Sequence, residues 1–75
     1  MPFVPKTFLD LCFAMKTGAE VQIDQYPPGF ISSIQKEDGS GRNWNVTLRR
    51  ERHGFGPGNV PRTHSVEERV FFREG

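Results

Sequence analysis

The sequence predicts an α+β fold: one N-terminal helix with a small three- to four-stranded antiparallel sheet or partly open barrel. Three observations carry this expectation. An apolar segment near the N-terminus is bounded by helix-capping residues, the hydrophobic period shortens to two after Ala19, and an Asp-Gly turn separates two alternating segments. At 75 residues there is room for one domain only, near the lower limit at which a chain holds itself together without disulfides or metal.

The opening MPFVP is an extended arm, because Pro2 and Pro5 fix their own φ and push the residues before them out of the helical region. Lys6 to Gly18 follows as a helix. Thr7 can accept from the free amides at its start while Asp10, three residues on, reciprocates, and Gly18 stands where a left-handed C-terminal cap belongs. Arm and helix make up residues 1–18.

Residues 19–51 read as antiparallel strands. Val21 and Ile23 alternate with Glu20, Gln22 and Asp24, and Tyr26-Pro27-Pro28-Gly29 stops that strand and turns the chain. Phe30 to Lys36 and Asn43 to Arg50 are two further strands; in the latter, Trp44, Val46 and Leu48 point one way. The intervening Glu37-Asp38-Gly39-Ser40-Gly41 has the chemistry of a hairpin turn. Residues 52–65, RHGFGPGNVPRTHS, carry three Gly and two Pro and read as a loop. Residues 66–75 close the fold as a strand with Val70 and Phe72 inward, although Ser65-Val66-Glu67-Glu68 could instead open a short helix.

The helix is too apolar for its setting. Every residue from Phe8 to Met15 except Asp10 is apolar, whereas a helix resting on one sheet needs a stripe. At 100° per residue, Leu9 and Phe13 lie apart from Phe8, Leu11, Cys12 and Met15. Either Phe55, Val60 or the Phe3-Val4 arm folds over that second face, or the helix pairs with another copy, or the face is a docking surface. The last reading names Val4, Lys6, Phe8, Leu9, Leu11, Phe13 and Lys16 as partner-binding residues, with aromatic and aliphatic anchors between two cations.

A second reading uses the other end of the sequence. Tyr26, Phe30, Arg42, Arg49, Arg50 and Arg52 combine rings with cations, as single-stranded nucleic acid requires. Gly29-Phe30-Ile31 through Glu37-Asp38-Gly39-Ser40 also looks like part of an OB-type or SH3-like barrel. The net charge of +1 provides no long-range field for nucleic acid or anionic lipid, so such binding must come from local clustering.

Enzymatic chemistry finds little to stand on. Cys12, His53 and His64 form no short ligand or catalytic spacing, so no metal, no cofactor and no catalytic residue is expected. Gly54-Phe55-Gly56-Pro57-Gly58 lacks the Lys and Ser/Thr of a phosphate loop. The lone cysteine, the missing leader pattern and the absence of a bilayer-length apolar run lead us to expect a cytoplasmic monomer without membrane contact; Asn45-Val46-Thr47 is then a strand tripeptide, not a glycan acceptor.

An apolar N-terminal segment, VPKTFLDLCFAMKTG, ahead of a compact β unit resembles small bacteriophage-encoded proteins that bind and inhibit host bacterial RNA polymerase. The resemblance implies that this segment docks on a polymerase subunit in the host cytoplasm, inhibits initiation and alters termination, without catalysis of its own.

Overall fold

The computed structural model describes residues 1–37 and 41–74. Helix α1, Phe8–Thr17, precedes strands β1, Glu20–Val21, β2, Gly29–Lys36, β3, Asn43–Phe55, and β4, Pro61–Arg73. The strands form one antiparallel sheet in the order β1-β2-β3-β4. It curls as a half-barrel with the helix packed mainly on β2, in agreement with the α+β expectation. Of the hairpin turn, Asp38, Gly39 and Ser40 lie outside the described residues, as does Gly75.

Local chemistry sets both helix ends. The Thr7 hydroxyl accepts from the Asp10 amide at 3.3 Å, and the Asp10 carboxylate accepts from the Thr7 amide at 3.1 Å, completing the capping box. The same carboxylate takes the Lys6 amide at 2.8 Å. Gly18 stops the helix at φ 72°, a conformation that glycine adopts without steric cost, and its N–H and that of Ala19 both bond Ala14 O. The first helical amide, Phe8 N, donates to the Glu74 carboxylate from the other end of the chain.

The core consists of Leu11, Ala14, Val21, Ile23, Ile31, Val46, Leu48, Val70 and Phe72, with Trp44, Ile34 and Tyr26 packed against it. Strand alternation explains the membership: Val46 faces Val70 and Trp44 faces Phe72 across the β3–β4 ladder, so all four side chains share the concave face. Phe8 joins the helix to this face, its ring centroid 4.1 Å from that of Trp44. The fully buried Leu11 contributes about 1.5–3 kcal/mol, and the half-buried Phe8 adds a second contact that holds the helix.

Three sequence expectations need correction. The strand through Ile23 stops at Val21; Asp24 at φ 49° turns the chain, and Ile23 enters the core from outside the ladder. Leu11 is fully buried, so it belongs to the core and is withdrawn from the docking residues. The third concerns residues 52–65, which form no loop. β3 and β4 stay paired from Arg50↔Val66 to Phe55↔Pro61, and only residues 56–60 turn, around the 3-10 segment Pro57–Asn59. Both prolines fall where no ladder N–H is required, Pro57 in the turn and Pro61 at the first position of β4.

The arm is extended, as Pro2 and Pro5 demand, and it has a partner. Phe3 bridges Val21 in parallel: Phe3 N donates to Glu20 O at 2.8 Å and Gln22 N donates to Phe3 O at 2.9 Å. This covers the outer edge of β1, which would otherwise present open backbone groups.

Candidate functional site

Two surfaces carry the sequence-selected residues, and they lie on different elements. The first is the outer face of α1. Leu11 and Ala14 are buried beneath the helix, while Leu9 is 78% and Phe13 62% exposed. Leu9, Phe13 and Lys16 follow one another at four and three residues, which aligns them along one stripe with the cation at the C-terminal end. Cys12, also on α1, is half-buried.

None of the segments that could have covered this face does so. Phe55 and Val60 sit at the far tip of the β3–β4 hairpin, 77% and 60% exposed, and the arm is engaged with β1. Val4 and Lys6 line a separate cleft with Ile23, Phe72 and Arg73, between the arm and the end of β4. Phe8 is half-buried against Trp44 and contributes to the helix seat more than to the outer stripe. The docking stripe that the fold leaves open is therefore Leu9, Phe13 and Lys16.

The N-terminal turn above the stripe is electrostatically fixed. The Lys6 amide, foremost, holds the Asp10 carboxyl below its ordinary range; desolvation, next in size, opposes it, and the amide and hydroxyl of Thr7 add to the lowering. Asp10 is thereby kept ionised at the positive end of the helix dipole.

The second surface collects the residues selected for nucleic acid, and the fold disperses them. Phe30 and Arg49 are register partners on the convex face, in a row that continues to Glu20 on one side and Glu67 on the other. Arg42 lies just before the first residue of β3, beyond roughly 20 Å of strand from Arg49, and Tyr26 packs against the core. Arg50 is occupied: Nη1 donates to Glu68 at 2.7 Å, Nη2 to Pro27 O at 2.7 Å and Nε to Pro28 O at 3.3 Å. Of the six, Arg52 alone stands on the projecting part of the hairpin. Sequence reasoning missed its neighbours there, Arg62 and His64, because both fell inside the segment read as a loop; the alternation PRTHSV, with Arg62, His64 and Val66 in phase, was the available signal.

Among the described residues no three His, Cys, Asp or Glu side chains converge on a metal-sized site. Cys12 lies on α1, whereas His53 and His64 lie on the hairpin, with His53 Nδ1 3.1 Å from Thr63 Oγ1. Among the described residues no helix is long and apolar enough to cross a membrane. No family model matches the sequence, and no curated protein and no solved structure matches the chain.

Proposed function

We propose that this chain is a non-enzymatic, monomeric regulator that binds a larger protein through the outer face of α1. The observation that carries the reading is the contrast between the faces of one short helix: Leu11 and Ala14 are buried, and Leu9 and Phe13 stand in water. Leaving two such side chains wet forfeits on the order of 1.5–3 kcal/mol each, a large share of the stability of a domain this small, about 4–11 kcal/mol. A partner that seats them recovers that energy at its interface, and Lys16 beside them favours an acidic rim.

The resemblance to phage-encoded polymerase inhibitors supplies the partner: a subunit of bacterial RNA polymerase, with transcription as the process regulated. Calorimetric titration and co-elution with purified bacterial RNA polymerase test this, using the wild-type chain and Leu9→Ser/Phe13→Ser. Binding by the wild type and a loss of at least tenfold in the double variant are expected. No binding by the wild type overturns the polymerase assignment, and equal binding by the double variant overturns the helix face.

A further inference from the structure

β2 pairs with β3 only as far as Phe30↔Arg49, while the β3–β4 ladder continues to Phe55↔Pro61. The hairpin therefore leaves the sheet at Arg50 and runs on as a free two-stranded ribbon for roughly 20 Å, which accounts for the elongated 50 × 26 × 21 Å molecule. No residue from Glu51 to Ser65 is buried, so no core explains this extension. An isolated two-stranded hairpin is marginal in water, yet both ends of this one are fixed. Arg50 ties its root to Pro27, Pro28 and Glu68, and the tip closes through Gly56 N to Val60 O at 2.8 Å and Asn59 N to Gly56 O at 3.1 Å.

The ribbon separates its charges by face. Register pairs Arg52 with His64 and Gly54 with Arg62, and alternation places these on the face that continues the concave side of the sheet. Glu51 is the only acid in the ribbon and takes the other face. From Arg52 to Val66 the sequence contains no Asp or Glu, and neither Arg52 nor Arg62 has an ion pair among the described residues. Gly54 leaves open space between them, where an added Cβ would touch nothing.

We propose that the ribbon is an arm that contacts double-stranded DNA, with Arg52 and Arg62 on phosphates and the strands along the major groove. Guanidinium groups without internal partners are matched to phosphate by charge and fork geometry. The major groove of B-DNA, about 12 Å wide, admits a two-stranded ribbon, while the deep, narrow major groove of A-form RNA does not. Single strands bind through stacking platforms, and this face of the ribbon carries no Phe, Tyr or Trp, its one ring being the His64 imidazole, while Phe55 at the tip alternates to the other face. The inference is independent of the helix reading.

The test is fluorescence anisotropy with a short labelled DNA duplex of mixed sequence, the same strand alone, and a matching RNA duplex, across a salt series. With two to three phosphate contacts, affinity for the DNA duplex should fall roughly 10- to 40-fold between about 50 and 200 mM salt, from a log–log slope of about −0.9 per contact. Arg52→Ala/Arg62→Ala should make that slope shallower by about 1.8 while Trp44 emission stays unchanged. Arg69→Ala/Arg73→Ala removes the same charge from the convex face of β4, and Leu9→Ser/Phe13→Ser alters only α1; both should retain the wild-type slope. Absence of salt-dependent duplex binding, equal affinity for the single strand or the RNA duplex, or an equal loss in the Arg69/Arg73 variant each overturns the proposal.

Discussion

The Arg50 guanidinium and the Glu68 carboxylate meet at 2.7 Å on the concave face, at the point where four strands become two. They are diagonal neighbours: Arg50 lies opposite Val66, and Glu68 opposite Leu48. The two remaining donors of Arg50 reach Pro27 O and Pro28 O, so one side chain joins the ribbon root to the turn before β2 and to β4. An ion pair alone would contribute little at such a half-exposed site; the two carbonyl bonds give the residue its weight.

Arg50→Ala is accordingly expected to lower stability by about 1–2 kcal/mol, read as a shift in the urea midpoint. Arg50→Lys should recover only part of this, because an ammonium cannot make the forked set of contacts. Amide exchange should quicken through residues 51–65 in both variants. If Ala and Lys leave exchange unchanged, Arg50 does not anchor the ribbon.

The two faces of α1 should separate cleanly under mutation. Leu11→Ala removes a fully buried side chain and should cost about 2–5 kcal/mol, enough to unfold much of the population. Leu9→Ser and Phe13→Ser, on the exposed stripe, should stay within about 0.5 kcal/mol of wild type. Trp44 is the sole tryptophan and packs against the Phe8 ring, so its emission follows the docking of the helix. Large destabilisation by either serine variant would mean that the outer face is covered in solution.

The helix N-terminus gives a pH dependence of defined sign. The folded pKa of Asp10 is depressed, chiefly by the Lys6 amide, so its contribution is complete above the unfolded value of 3.8 and is lost as pH falls through the lower folded value. Stability should therefore decline on acidification below about pH 4, and Asp10→Asn should flatten that part of the profile. Thr7→Ala, which removes the reciprocal half of the cap, should cost about 1 kcal/mol at neutral pH. A profile unchanged by Asp10→Asn would show that the capping box does not form in solution.

Much of this fold is legible locally. Thr7, Asp10 and Gly18 mark the helix because their side chains, or the lack of one, act within a turn of where they stand. Val46, Leu48, Val70 and Phe72 mark the concave face because alternation depends only on strand period. The surplus apolar residues of α1 were visible on the same ground.

What the sequence by itself determined is thus the pattern of faces: which residues can share a helix stripe or one side of a strand. Which face is covered was decided only in three dimensions, because coverage depends on partners distant along the chain. Leu11 went to the core and Leu9 to water through the placement of α1 on β2, while Tyr26 was taken up against the core and Arg50 by the carbonyls of Pro27 and Pro28 and the Glu68 carboxylate. The ribbon is the clearest case. Its glycines and prolines argue for a loop one residue at a time, but a ladder needs amides only at particular positions, and pairing with β4 places Pro57 and Pro61 where none is required.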